Sequence, residues 1–277
     1  MVRKSIALVL SGGGARGLAH VGVLKALEQL QIPISAICGC SMGGLIASLY
    51  ALGKPTDEIE KIARKYSSTR EMIKLVDLTP RRRGYIISQH LRSFLSRLFD
   101  ENVQFSQTKI PLAVNAVDLL SGQEVVLDHG SLLDAVLATT AIPGFFSPLQ
   151  ESTCILADGG VVNNLPVSLI KGKTLDPIVA VDVHQAFGGS FRPSAVENPY
   201  PKSFFPQFAR EYYLAELIKI RKMTDLNLAQ NPPDLLLTPV IDPNINLFFG
   251  FTHIAELIEA GEEVVYKNSE SILKLLG

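Results

Sequence analysis

The chain has 277 residues, 47% hydrophobic and 19% charged, enough to bury a large core in one unit spanning residues 1–277. Its net charge is −1 and its only basic run, Arg81-Arg82-Arg83, is short, so nucleic acid is not an expected partner. Three cysteines, Cys38, Cys40 and Cys154, have neither a disulfide-framework nor a zinc-ligand spacing, which fits a reducing, cytoplasmic compartment.

In chain order, the basic Met1-Val2-Arg3-Lys4 leads into an apolar run too short for a signal peptide, read as a first strand over Ser5–Leu10. A glycine-rich turn, Ser11-Gly12-Gly13-Gly14-Ala15-Arg16-Gly17, follows it. Leu18, Val21, Leu24 and Leu27 keep helical spacing over Leu18–Leu30. A second strand, Ile34–Cys38, runs into Gly39-Cys40-Ser41-Met42-Gly43, and a helix over Leu45–Leu52 runs out towards a left-handed cap at Gly53. Thr56 is expected to cap a helix over Asp57–Tyr66, with two acids in its first turn. The polar stretch Ser67 to Gly84 precedes an amphipathic helix over Ser88–Phe99.

Strands over Leu112–Val117 and Glu124–Leu127 flank a turn at Ser121-Gly122 and should pair antiparallel. A helix over Ser131–Thr139 and strands over Cys154–Ala157, Pro177–Val183 and Asp234–Thr238 come next, with a helix over Phe208–Leu228 between the last two. A helix over Ile254–Leu276 closes the series. The alternation predicts an α/β fold, a three-layer α/β/α sandwich around a mostly parallel sheet. Phe187 to Pro206, rich in Gly, Pro and Phe, reads as a long loop flanking a site together with Ser67 to Gly84. No segment approaches the ~20 apolar residues of a transmembrane helix, so the chain is expected to be soluble, with peripheral membrane contact left open.

The chemistry is concentrated at Ser41. Gly39 and Gly43 frame it as a G-x-S-x-G elbow between a strand and a helix, the context that holds a serine nucleophile in a strained conformation clear of the sheet. The helix behind it aims a positive end at the reacting centre. Gly12, Gly13 and Gly14 fit two readings. As G-x-G-x-x-G, Gly12, Gly14 and Gly17 could cradle a dinucleotide or make a non-catalytic regulatory module, but no acid ends the second strand to bind a ribose. As a turn at a helix start, the N–H groups of Gly12, Gly13 and Gly14 could hold the oxyanion of acyl transfer, with Arg16 supporting either the loop or the anion.

Ser41 needs a base. Asp158 in Asp158-Gly159-Gly160 stands at the end of a strand, where sites form in parallel sheets. Of the five histidines only His184 and His253 follow it in the order Ser, acid, His, and His184 follows a strand, so a Ser–His–Asp carboxylesterase using His184 is the competing arrangement.

Taken together, the glycine loop, Gly39-Cys40-Ser41-Met42-Gly43 and Asp158-Gly159-Gly160 resemble the patatin-like phospholipase family, closest to its small bacterial esterase-like branch. Ala138 to Pro148 and Asn163-Asn164-Leu165-Pro166-Val167 extend the resemblance over a motif-bearing core of about residues 5–185. Ser11 departs from the plant storage members, which carry Asp before the glycines. The resemblance implies a lipid acyl hydrolase with Ser41 as nucleophile, Asp158 as its base, an oxyanion hole at Gly12, Gly13 and Gly14, and neither catalytic histidine, metal nor cofactor. Its substrate would be a fatty-acyl ester or phospholipid. The helix over Ser88–Phe99 and Phe187, Phe191, Phe204, Phe205, Phe248, Phe249 and Phe251 are candidates to line an acyl groove, and Arg81-Arg82-Arg83 to meet anionic headgroups.

Overall fold

The structure, a computed structural model, describes residues 4–67, 89–184, 207–247 and 250–277. Its centre is an eight-stranded sheet of β1 (Ile6–Leu10), β2 (Ile34–Gly39), β3 (Leu112–Asp118), β4 (Glu124–Leu127), β5 (Leu149–Gln150), β6 (Ile155–Asp158), β7 (Ile178–Val181) and β8 (Leu235–Leu237). Pairing links the strands as β5-β6-β3-β2-β1-β7-β8, with β2 and β6 on one edge of β3 and β4 on the other. From β3 to β8 the neighbours run parallel, whereas β4 and β6 pair antiparallel with β3, and β5 with β6.

Side-chain size divides the two faces. Ile6, Leu8, Leu10, Val114, Val179 and Val181 point into one large cluster, while Ala7, Val9, Ala36, Cys38 and Ala180 point into a smaller one. The large face takes α1 (Ala19–Gln29), α2 (Ser41–Ala51), α5 (Leu132–Thr139) and α7 (Ile254–Lys267), through residues such as Leu24, Ile46, Leu133 and Leu257. Each such side chain contributes about 1.5–3 kcal/mol when fully buried. The small face is covered by Leu165, Val167, Leu169 and Ile170, and by Leu228 of α6 (Gln207–Gln230). Three layers result, as the alternating pattern predicts.

On the large face α1 and α7 meet backbone to backbone. A Cβ on Gly22 would lie 1.9 Å from the Ile258 carbonyl oxygen, and one on Gly261 would lie 1.9 Å from that of Ala19. Only glycine at both positions allows this approach.

The remaining helices, α3 (Thr56–Tyr66), α4 (Gln89–Leu95) and α8 (Ser269–Leu275), show where tertiary context overrides local signals. Pro55, not Thr56, stands at the N-cap of α3, and the Thr56 hydroxyl donates instead to Glu28 Oε2 at 2.6 Å. The expected helix over Ile254–Leu276 breaks at Asn268, whose Nδ2 turns back to the Val264 carbonyl at 2.7 Å. Ser131 caps α5 by accepting from the Asp134 N–H at 3.2 Å. Gly53 and Gly122 both take left-handed conformations, with φ of 84° and 72°. Among the described residues no helix is long and apolar enough to cross a membrane. Arg81-Arg82-Arg83, most of the two expected loops, and Phe187, Phe191, Phe204, Phe205, Phe248 and Phe249 lie outside the described residues.

Candidate active site

β2 ends at Gly39, Cys40 is extended, and Ser41 turns abruptly into a left-handed conformation with φ of 51° as the first residue of α2. For a residue with a side chain such backbone costs on the order of 1–3 kcal/mol, so the surroundings must enforce it. Sterics explain how. A Cβ on Gly43 would come within 2.6 Å of the Leu10 carbonyl oxygen and 2.5 Å of that of Ser11, and one on Gly39 within 2.6 Å of the Gly43 carbonyl carbon. The helix can therefore start hard against the ends of β1 and β2, four residues earlier than the apolar run Leu45–Leu52 suggests. A hydrogen bond completes the clamp: the Ser41 N–H donates to Thr139 Oγ1 at 2.9 Å, filling one of the vacant donor positions of the helix start. Thr139 was not singled out from sequence, although it lies in the stretch Ala138 to Pro148.

Asp158 arrives from the other direction. It is the last residue of β6, as expected, but β6 runs antiparallel to β3 and not within the parallel set. Alternate residues of a strand direct their backbone groups to opposite edges. The Pro111 carbonyl accepts from Ile37 of β2 and the Leu119 N–H donates to Ile155 of β6, whereas the Asp118 N–H donates to Gln123 ahead of β4. β2 and β6 thus share one edge of β3. β2 leaves it at Gly39, opposite Val114, and β6 ends on it at Asp158, opposite Ala116. Two strand ends meet head to head, and Ser41 meets Asp158.

Both residues are buried, Ser41 to 7% exposure and Asp158 to 5%. The Ser41 side chain acts on the Asp158 carboxylate as a neighbour that lowers its pKa, Gly160 N–H donates to its Oδ1 at 2.8 Å, and Cys40 Sγ lies 3.6 Å from the same oxygen. Burial raises the Asp158 pKa from 3.8 to about 6, against the opposing pull of Ser41, Gly160 and Cys40. The segment after Asp158 is held by a polar network. Asn115 Nδ2 donates to the Asn163 carbonyl at 2.8 Å and Asn163 Nδ2 to Glu124 Oε1 at 2.9 Å. Asn227 of α6 donates to the Val162 carbonyl at 3.0 Å.

The glycine loop stands beside Ser41, a Cβ on Gly12 lying 3.2 Å from Ser41 Cβ. Its three candidate donors are not equivalent. The Gly12 N–H is spent on the Asn164 carbonyl at 2.9 Å, while those of Gly13 and Gly14 have no acceptor among the described residues. Arg16 belongs to the loop's scaffold: its Nε donates to the Ile245 carbonyl at 2.9 Å and its Nη2 to that of Pro243 at 3.1 Å. The dinucleotide reading loses ground, because the Ala15 N–H is committed to the Leu247 carbonyl at 2.7 Å and that carbonyl lies against Gly14.

His184 is buried, and burial followed by the charges of Arg16 and Arg221 lowers its pKa to about 3. Among the described residues no imidazole is hydrogen-bonded to Ser41 or Asp158. His20, likewise lowered to about 4 by burial, binds the Ser11 carbonyl at 2.8 Å beneath the glycine loop. Nor do the described residues gather three or more His, Cys, Asp or Glu side chains as a metal site would.

A cavity of about 160 Å³ opens at Ser41 and Gly14 and runs between α1, α2, α3 and α4. Its walls are aliphatic and aromatic, with Leu18, Met42, Ile59, Leu95, Phe145 and Phe251 among them. A groove with this lining favours a hydrocarbon group over water. Leu91, Phe94, Leu95 and Leu98 line it from the helix expected to do so, and Phe251 joins them. Ile59, Ile62, Ala63 and Tyr66 of α3 form an unanticipated wall, with Tyr66 edge-on to Phe94 at 4.8 Å between ring centres.

Residues 8–170 match the family model described as patatin-like phospholipase. An uncharacterized NTE family protein of Mycobacterium tuberculosis is 33% identical over 187 residues, covering 68% of this chain and 51% of that protein. Lysophospholipase nte1 of Aspergillus oryzae is 30% identical over 261 residues, 89% of this chain and 17% of that protein. The matches thus span about half, or much less, of these relatives' own length. Among solved structures, human GIVD cytosolic phospholipase A2 in complex with methyl gamma-linolenyl fluorophosphonate superposes with a TM-score of 0.53. It is 13% identical, with 99% of this chain and 58% of that chain covered, and the likeness is one of fold.

Proposed function

The chain belongs to the patatin-like phospholipase family, and from that premise we propose that it hydrolyses fatty-acyl esters, phospholipids among them, through a Ser41–Asp158 dyad. The observation that carries this reading is a serine of left-handed backbone beside a carboxylate whose basicity burial has raised, at the mouth of an apolar cavity.

In the proposed cycle the acyl chain enters the cavity and its ester carbonyl lies over Ser41. The Ser41 oxygen attacks the carbonyl carbon as its proton passes to Asp158. The resulting oxyanion takes hydrogen bonds from the N–H groups of Gly13 and Gly14. Collapse expels the alcohol, which leaves with the proton from Asp158, and Ser41 remains acylated. Asp158 then takes a proton from water as it attacks the acyl carbon, and on collapse returns that proton to the Ser41 oxygen as the fatty acid is released. A carboxylate titrating near pH 6 is a stronger base than an exposed one, yet is still ionised at neutral pH.

Ser41→Ala, Asp158→Asn and His184→Ala, assayed on p-nitrophenyl esters of increasing chain length and on lysophospholipid, test the reading. The first two should lose on the order of 10³-fold or more in kcat, while His184→Ala stays within a few-fold of the parent. A collapse of the folded His184→Ala variant to the level of Ser41→Ala would favour a histidine-based triad.

A further inference from the structure

The oxyanion hole depends on how the peptides of the glycine loop are turned, and one side chain governs the decisive peptide. A trans peptide is planar, with its C=O and N–H pointing in opposite directions. Holding the oxygen of one peptide therefore aims the N–H of the next residue. Asn164 grips Gly12 at both ends: its carbonyl accepts the Gly12 N–H at 2.9 Å, and its Nδ2 donates to the Gly12 carbonyl at 3.3 Å. The peptide joining Gly12 to Gly13 is thus fixed by its oxygen, and its N–H, that of Gly13, faces away from Asn164 with no acceptor among the described residues. Gly13 is buried, and an unpaired N–H there is costly unless a ligand completes it.

The neighbouring peptides are anchored too. His20 holds the Ser11 carbonyl, and the Arg16 N–H holds that of Gly13 at 3.0 Å. Asn164 differs in joining the two halves of the site. It is 3% exposed and lies six residues beyond Asp158. Its Oδ1 would meet a Cβ on Gly12 at 2.4 Å and one on Gly160 at 2.9 Å. One amide therefore touches the oxyanion loop and the segment that carries the base.

We infer that Asn164 is a positioning residue, aiming the Gly13 N–H at the oxyanion of the reaction proposed above, on which this assignment rests. It touches neither substrate nor reacting atoms.

Asn164→Asp, which keeps the shape and replaces the donor by an acceptor, and Asn164→Ala test the assignment. Each is assayed on p-nitrophenyl hexanoate and on its thiono ester, whose sulfur is a weaker hydrogen-bond acceptor in the tetrahedral intermediate. Rates are compared where circular dichroism shows the variants folded. Both should lose about 10- to 100-fold in kcat on the oxygen ester with KM within about threefold. The ratio of oxygen-ester to thiono-ester rates should fall towards one. A kcat within threefold of the parent overturns the assignment. So does a loss of kcat at an unchanged ratio, which would make Asn164 act through Asp158. Failure of both variants to fold overturns it as well, leaving a residue of the fold alone. A parent chain that hydrolyses neither ester overturns the hydrolase reading itself and this assignment with it.

Discussion

The two halves of the sheet bring their residues to the site by different physics. On the parallel side, Ser41 is placed by backbone sterics: Gly39 and Gly43 let α2 close on β1 and β2, and the strain at φ of 51° is imposed by contact. On the antiparallel side, Asp158 is placed by a chain of side-chain hydrogen bonds through Asn115, Glu124, Asn163 and Asn227. Contact between backbones has no slack, whereas a network loses its members one at a time. The Ser41 side should therefore fail abruptly and the Asp158 side gradually.

The sharpest way to break this contrast is Gly43→Ala. Its Cβ would be driven into two backbone oxygens, neither of which can swing aside. The substitution should cost upwards of about 1–3 kcal/mol in stability and abolish ester hydrolysis, as read by thermal melting and turnover. Gly122→Ala is the control, since nothing lies within 4 Å of its Cβ and only its φ of 72° resists. It should cost about 1 kcal/mol and spare activity. Equal losses at the two positions would refute the steric account.

Asp158→Asn comes next and separates activity from stability. Burial holds the native pKa at about 6, above the ordinary 3.8, so between these values the native state binds more protons than the unfolded one. The favourable contribution is complete below pH 3.8 and is lost as pH rises through about 6. The neutral amide escapes that loss, so Asp158→Asn should melt higher than the parent at pH 8 by roughly 2–3 kcal/mol, with the advantage gone at pH 4. If Asp158 is the base proposed above, parent kcat/KM should fall tenfold per unit below about pH 6, as its carboxylate takes up a proton. A pH-independent difference in melting would remove desolvation as the cause of the shift.

Asn163→Ala probes the network and should do least. It leaves Glu124, Ser168 and Asn227 each short of one partner, for about 1–3 kcal/mol of stability. Turnover should decline several-fold without vanishing, as measured by saturation kinetics. Loss as complete as that of Gly43→Ala would show the antiparallel half to be equally brittle.

The same division decides how far the sequence could be read. Uninterrupted apolar runs such as Ile6–Leu10 and Ile178–Val181 announce strands buried on both faces, and the glycine spacing around Ser41 announces the elbow. Strand direction has no local signature, so the antiparallel entry of β6 and the two-residue β5 were not legible. Nor was the start of α2 at Ser41. Gly43 and Gly44 are poor helix formers, and only packing against β1 and Thr139 makes the turn worthwhile. The division of labour among Gly12, Gly13 and Gly14 depends on Asn164, 152 residues away from Gly12 in the chain, a pairing no spacing rule reveals.

The glycine contact between α1 and α7 bears on modularity. The stretch that matches the family, residues 8–170, carries Ser41, Asp158 and the glycine loop, and invites excision as a minimal enzyme. Yet the helix behind that loop rests on Gly261, the Ala15 N–H rests on Leu247, and β7 is flanked by β8, all supplied from beyond residue 230. A fragment cut after residue 184 would bare a glycine-lined seam shaped for one particular helix, and unrelated helices with ordinary side chains could not fill it. Two pieces of this chain, produced separately and mixed, have a keyed surface by which to find each other, so the protein is suited to fragment complementation and ill suited to trimming.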